Sequence, residues 1–424
     1  MRLATSARFL TPDSGRKFPS RRSCAELGAA IRVLMERSRT VRVLGSRRPL
    51  KLSKHANLAA GTRSSGVHAR AVAAPRKVLV LGLFPPPIDG QRVVTERMFH
   101  EISQTTTALR RGLDRFPRLG PLSKPVSAVA AALLMAPARF AGFSAVYLAP
   151  HSGIGLLYSS FLAAASRLCG YTLYVHYHSY RNMRQRSALM ALFIALCGPR
   201  AVHIVLAPPM QWGLRNFYKH ARRIEVLSNS VFIPPVMCAR NFLRRRIRVG
   251  HLSNLSREKG IELVLECLRQ LRARKVEVEF VIAGPTKDEE TRNLLARAAV
   301  EFGDRLRYLG PLPQSDVQGY YESIDVFLFP TMYEHEAEPL VVIDAVSLGV
   351  PVVATDRGCI GYLLQATGGR AFDAEEFVER AVEQIADWAA NRGELARTSE
   401  RAQHRFRALH QAAQANLSGI LRFD

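Results

Sequence analysis

Three short segments of this 424-residue chain hold residue types that can do chemistry together. In HLSNLSREKGIELVLECLRQL (251–271) a strand runs through a turn into an amphipathic helix. Ile261, Val264, Leu265, Leu268 and Leu271 follow the i, i+3, i+4, i+7 pattern of a helix face. Lys259 and Gly260 fall at the start of that helix, where free N–H groups and the positive end of the dipole favour an anion. A lysine placed there can reach a diphosphate, and Arg257 adds a second cation. An exposed basic turn would have the same composition. In FLFPTMYEHEAEPLVVIDAVSLGVPVVATD (327–356) a strand, an acidic loop and a helix come in order, with Pro339 suited to the helix start. Glu334, Glu336 and Glu338 crowd the loop, and Asp344 lies on the helix. Such carboxylates can cap the helix, or accept hydrogen bonds from the vicinal hydroxyls of a sugar or ribose. In LYVHYHSYRNM (173–183), His176 and His178 stand at the C-terminal end of a strand, on one face of it. That edge of an open α/β sheet is where ligands bind. No third ligand accompanies the two histidines, which argues against a metal. The alternative for each is a structural role.

The elements that would position these residues read as α/β. KVLVLGLF (77–84) is an apolar strand suited to burial on both faces. It ends in PPPIDGQ (85–91), a loop carrying Gly90, and RVVTERMFHEI (92–102) reads as a helix. Strand, loop, helix is the opening of a doubly wound domain. Further strands are predicted at 145–149, 172–178, 202–207 and 224–229, with helices around 153–168 and 183–196. IPPVMCARNFLRRR (233–246) reads as a linker. A second set of strands follows at 247–253, 276–284, 306–310, 325–330 and 351–355, and 374–424 is helical in pattern. The chain therefore divides into a basic, disordered extension (1–76) and an N-terminal Rossmann-like domain (77–235). A C-terminal Rossmann-like domain (247–400) follows, then a terminal helix (401–424) able to pack back on the N-terminal domain. Three apolar stretches, 126–137, 153–166 and 188–197, are each shorter than the roughly 18–20 residues needed to span a bilayer. They read as buried helices, with a membrane-interface position as the alternative.

Composition bounds the remaining choices. Hydrophobic residues make up 48% and charged residues 22%, which is globular and excludes a disordered or fibrous chain. The formal charge is +25, but residues 1–77 alone hold 18 Lys plus Arg against three acids. That uneven distribution argues against a nucleic-acid binder, and no nucleic-acid partner is expected. Residues 1–76 lack the apolar core of a secretory signal. Their Arg-rich, acid-poor composition fits a transit peptide, a basic arm or a disordered extension, the last being favoured. The six cysteines form no C-x-x-C pair, so neither zinc spacing nor a disulfide framework is indicated, and a reducing cytoplasm follows. No G-x-G-x-x-G follows either first strand, which argues against a dinucleotide oxidoreductase.

Taken in order, the Gly90 loop, the HYH strand end, LSNLSREKG, EHEAEPLVVID and GVPVVATD resemble the glycosyltransferases of family 4. PPPIDGQRVVTERM and EAEPLVVIDA are similar to a bacterial branch that assembles surface polysaccharide. The resemblance runs from Lys77 onward and is strongest over 247–360. It implies the GT-B fold, two Rossmann-like domains facing across a cleft, and a retaining, metal-independent hexosyltransferase with no cofactor beyond its nucleotide-sugar substrate.

Carried over by position, the resemblance implies that Lys259 contacts the donor diphosphate. Arg257 would assist, because Asn254 stands where the family has Arg. Glu336 would contact the donor sugar. Asp344 replaces the family's second Glu, which serves the ribose hydroxyls. The strand-end histidine is His178, with His176 as the alternative, and the glycine loop near acceptor and phosphate is Gly90 with Gln91. Glu336, His178 and Lys259 would be the catalytic group. The implied partners are a nucleotide-diphosphate sugar and a saccharide or lipid-linked saccharide. An anionic membrane surface is a further partner, with the enzyme cytoplasmic and peripheral at the inner membrane face. The competing readings are a nucleotide-sugar epimerase on the same fold and an inactive relative that acts as a basic binding protein.

Overall fold

Among the described residues, every strand lies in one of two six-stranded, wholly parallel sheets. The computed structural model describes residues 77–114, 116–236 and 240–423. The 1–76 extension, Cys24 and Cys238 therefore lie outside the described residues.

The first sheet begins with β1 (Lys77–Gly82), whose Val78–Leu81 are fully buried as a two-sided apolar strand requires. Its order is β2-β1-β3-β4-β5-β6, where β2 is Ala108–Gly112, β3 Phe143–Leu148, β4 Thr172–His176, β5 Val202–Val205 and β6 Arg223–Val226. β2 (ALRRG) was not anticipated: two adjacent arginines on a half-exposed edge strand carry no apolar signal. Helix α1 (Gly90–Thr105) follows β1 and is capped by Asp89, whose Oδ1 accepts from Arg92 N at 2.9 Å. The Arg92 guanidinium then ties the proline loop together. It donates to Phe84 O at 2.7 Å and pairs with Asp89 at 3.0 Å and Asp114 at 2.7 Å. Helices α2 (Ser123–Phe140), α3 (Leu156–Leu168), α4 (Ala188–Cys197) and α5 (Pro208–Phe217) complete this half. The expectation that the apolar stretches are buried helices needs correcting. All three are helical, but α2 and α3 leave large apolar side chains exposed.

The second sheet has the order β12-β11-β10-β7-β8-β9, with β7 Ile247–Leu252, β8 Val278–Ala283, β9 Leu306–Tyr308, β10 Val326–Phe329, β11 Val352–Thr355 and β12 Arg370–Phe372. Connections run outward in opposite directions from β7 and β10, so the topological switch point lies between their C-terminal ends. Helices α6 (Ile261–Ala273), α7 (Glu289–Phe302), α8 (Val317–Ser323), α9 (Leu340–Ser347), α10 (Ile360–Thr367) and α11 (Phe377–Ala390) cover it. The linker's basic run is not simply solvated. Arg240 donates to the Ile324 carbonyl, and Arg244 pairs at 3.1 Å with the buried Asp325.

The last helix, α12, begins at Arg392, before the expected 401, and runs to Ile420. At 29 residues it is about 43 Å long. Its first half is fastened to the second domain by Ser399 Oγ donating to Gly349 O at 2.6 Å. Its second half lies on the first domain. His410 Nδ1 is 2.9 Å from Ser230 O, Asn416 donates to Val226 O at 3.0 Å, and Phe423 meets Tyr174 edge-on at 4.8 Å between centroids.

Candidate functional site

The K-G turn stands at the switch point because only glycine fits its second position. Gly260 has φ +77°, and a Cβ there would lie 1.9 Å from the Pro330 carbonyl oxygen at the end of β10. The turn and the strand end are therefore in backbone contact, a contact secured by Met332 N donating to Glu258 O at 2.8 Å. Ser256 caps the turn from the other side, accepting from Lys259 N at 3.3 Å.

This close approach brings together two residues 77 positions apart: Lys259 Nζ lies 2.5 Å from Glu336 Oε2. Thr331 Oγ1 also reaches Glu336 Oε2, at 3.3 Å, and the Lys259 ammonium sits 4.9 Å from the centre of the Tyr333 ring. Lys259, Asn254, Ser256, Pro285, Lys287 and Tyr333 line a pocket of about 470 Å³ beside the pair. Lys287 was not anticipated. It lies just beyond the C-terminal end of β8, next to β7 at the switch point, and the A-G-P-T-K run after that strand was the available signal.

Arg257 is not brought to the pocket. It is largely exposed and engaged by Glu262 at 2.8 Å and Glu290 at 3.6 Å. The Glu262 hydrogen bond, then the charges of Glu262 and Glu290, hold its pKa above the ordinary value.

The three loop carboxylates have three different surroundings. Glu334 is exposed and Glu336 meets Lys259. Glu338 is buried against the first domain, where its carboxylate accepts from Ser228 Oγ at 2.8 Å and Asn229 N at 2.6 Å. None of them caps α9, whose first turn has no side-chain cap. Burial pushes the Glu338 pKa up to about 7, against the pull of its two donors. Ala337 and Cys359 join the core of the first domain on either side of this contact.

Asp344 is not among the residues lining the pocket. Burial raises its pKa to about 6, opposed by the charge of Arg97 on α1 of the first domain. Burial likewise lowers the Arg97 pKa, so desolvation outweighs the mutual attraction on both sides.

On the first domain the two strand-end histidines separate by depth. His176 is fully buried, with Nδ1 2.7 Å from the Tyr147 hydroxyl. The His178 ring lies 4.2 Å from it between centroids, tilted by 48°, and lines a small pocket with Gln91, His151, Tyr177 and Asn182. Burial lowers the His178 pKa to about 3, so the ring is neutral, and its buried Nε2 has no hydrogen-bond partner. His151 Nε2, on the same pocket, is likewise without one. Gln91 Nε2 donates to Pro150 O at 3.2 Å, and Gly90 is exposed with open space where a Cβ would stand. Among the described residues no three His, Cys, Asp or Glu side chains gather as a metal site.

Residues 241–405, about two fifths of the chain, match the family model described as glycosyl transferases group 1. Over 130 residues the chain is 26% identical to the amylovoran biosynthesis glycosyltransferase AmsK of Erwinia amylovora, covering 30% of this chain and 32% of that protein. Over 152 residues it is 29% identical to the phosphatidyl-myo-inositol mannosyltransferase of Mycolicibacterium smegmatis, covering 35% and 38% respectively. The chain thus matches about a third of the length of these curated relatives. Among solved structures, sucrose-phosphate synthase from Thermosynechococcus elongatus superposes with a TM-score of 0.63 at 17% identity, over 82% of this chain and 98% of that one. Anabaena HepE in complex with UDP gives 0.58 at 16% identity, over 81% and 100%. The fold is GT-B.

Proposed function

We propose that this protein is a retaining glycosyltransferase that moves a sugar from a nucleotide-diphosphate sugar to a saccharide or lipid-linked saccharide in polysaccharide biosynthesis. The observation that carries this reading is the Lys259–Glu336 pair at the switch point, beside a pocket lined by Asn254, Lys259 and Lys287. The two side chains are partners until a donor supplies phosphate oxygens to Lys259 and sugar hydroxyls to Glu336.

Lys287 takes the place of the cation that Asn254 lacks. Two ammonium groups then meet the charge that develops on the departing diphosphate, which makes the reading metal-independent. The donor C1–O bond breaks with its electrons going to the diphosphate. The acceptor hydroxyl adds to the same face of C1, and its proton passes to the leaving oxygen. His178, neutral and with an unpartnered Nε2, offers the donor or acceptor a hydrogen bond without a charge. His176, with Nδ1 bonded to Tyr147 and Nε2 also unpartnered, supports it from behind. Gly90 and Gln91 open α1 next to this pocket, and Gly90 leaves space for an acceptor. Asp344 keeps the ribose role only if the donor draws it from Arg97. We place the enzyme in the cytoplasm, at the inner face of a membrane that holds its acceptor.

The test is transfer from UDP-, GDP- and ADP-sugars to saccharide acceptors, with the product's anomeric configuration read by NMR. An α-linked product from an α-linked donor supports the reading. An inverted product, or a sugar epimerised without any acceptor, refutes it.

A further inference from the structure

Helix α2 is amphipathic the wrong way round for a soluble protein. Its inward face carries Ser123, Ser127, Ala128, Ala131 and Ala138, with Met135 the one large apolar side chain. Its outward face carries Val126, Val129, Leu133 and Phe140, spaced as one helical stripe, with Leu133 74% and Phe140 93% exposed. Helix α3 shares only the outer half of this pattern. It buries Leu156 and Leu162 beside Ser159, Ser160 and Ser166, but leaves Leu157 and Phe161 exposed and Leu168 88% exposed. The two helices are bound side by side through Ser166 Oγ and Met135 Sδ at 3.7 Å, and α4 adds the exposed Leu192 beyond Arg167, which reaches Ala195 O at 3.5 Å. Large exposed apolar side chains on three adjoining helices are the mark of a surface that meets a protein or a membrane.

The charge around the patch says what covers it. Residues 115–224 contain 13 Lys plus Arg and not one Asp or Glu. Arg118, Lys124, Arg139, Arg167 and Arg200 are exposed, and among the described residues none of them forms a salt bridge. A second copy of this face would bring the same positive charge. So would residues 1–77, with their 18 Lys plus Arg against three acids. An apolar layer under a negative surface fits both features.

We infer that the outer faces of α2, α3 and α4 dock on an anionic lipid bilayer, with the Leu, Val and Phe side chains in the acyl boundary and the arginines and Lys124 among headgroups. The stretch Gly120–Phe140 is 21 residues long and apolar enough to cross a membrane. Tyr171 OH donating to Met135 O at 2.6 Å holds α2 against the domain, so it lies on the bilayer. Ile154, 79% exposed at the head of α3, is three residues from His151 on the small pocket. An acceptor held in the bilayer would thus enter beside His178. This deepens the acceptor side of the proposed function, but its test uses no nucleotide sugar, so either can fail alone.

The experiment is flotation of the full chain with vesicles of phosphatidylcholine alone or with 30% phosphatidylglycerol, at low and high salt. Binding is expected only with phosphatidylglycerol and to fall as salt rises. The triple substitution Leu133→Ser, Phe140→Ser, Phe161→Ser should leave the melting temperature unchanged, because all three residues are exposed, and lower vesicle partitioning at least tenfold. Arg139→Gln with Arg167→Gln should lower it about thirtyfold with no change in fold. No binding to anionic vesicles would overturn the inference. So would binding that the triple variant leaves intact, or a soluble dimer that the triple variant dissociates.

Discussion

Glu338 ties the acidic loop of the second domain to Ser228 and Asn229 of the first, across 109–110 residues of sequence. Glu338→Ala would leave the buried Ser228 hydroxyl and Asn229 N–H without that acceptor. At about 1–3 kcal/mol for each of the two orphaned groups, the cost is about 2–6 kcal/mol. Glu338→Gln keeps an oxygen for Asn229 N–H and an amide for the Ser228 hydroxyl, so it should cost under about 1 kcal/mol.

The two variants also differ in pH dependence. The folded-state pKa of Glu338 is raised from 4.5 to about 7 by burial, so the folded protein binds the proton more tightly than the unfolded chain. Its contribution is fully present below about pH 4.5 and is lost as pH rises through about 7, a span of about 3 kcal/mol. Urea unfolding of the full chain at pH 5, 6, 7 and 8 checks this. Wild type should lose stability over that range, Glu338→Gln should lose much less, and Glu338→Ala should be weakest at pH 5. If alanine and glutamine behave alike, or if the wild-type slope survives in Glu338→Gln, Glu338 is not the interdomain acceptor for Ser228 and Asn229.

Gly260→Ala forces a left-handed alanine, at about 1–2 kcal/mol, and presses its Cβ onto the Pro330 carbonyl. It should lower the melting temperature and weaken donor binding more than tenfold, and a normal donor titration would refute the positioning argument. Lys287→Ala removes only an exposed pair with Glu258, so stability should change by less than about 0.5 kcal/mol. Donor affinity should nevertheless fall about tenfold by calorimetry, and an unchanged affinity would remove Lys287 from the site. A double-mutant cycle on Arg97→Ala and Asp344→Ala should show a coupling of about 1 kcal/mol, and strict additivity would show that the two charges do not meet.

Much of this architecture is legible because both sheets are parallel and buried, so their strands are nearly unbroken Val, Ile, Leu and Phe runs. The predicted strands start or end a few residues from the observed ones. β2 escapes because Arg110 and Arg111 occupy a half-exposed edge, and β12 because it is three residues long. In the candidate site, Lys259 and Glu336 could be picked out by a helix start and an acidic loop, but not their 2.5 Å pairing, which depends on Gly260 against Pro330. Composition cannot distinguish Glu334, Glu336 and Glu338. Their surroundings are set by the path of the loop between two domains. The exposed faces of α2 and α3 were likewise hidden, since a stretch of Ala, Leu and Val does not say which side faces inward.

We propose Lys259 and Glu336 as the pair that binds a nucleotide-diphosphate sugar. Isothermal titration of the full chain with UDP-, GDP- and ADP-sugars, repeated with Lys259→Ala and Glu336→Ala, tests it directly. One donor should bind, and each substitution should weaken it up to about a hundredfold, equivalent to about 3 kcal/mol. A donor that binds equally well to both folded variants, or a folded wild type that binds none of them, would contradict it.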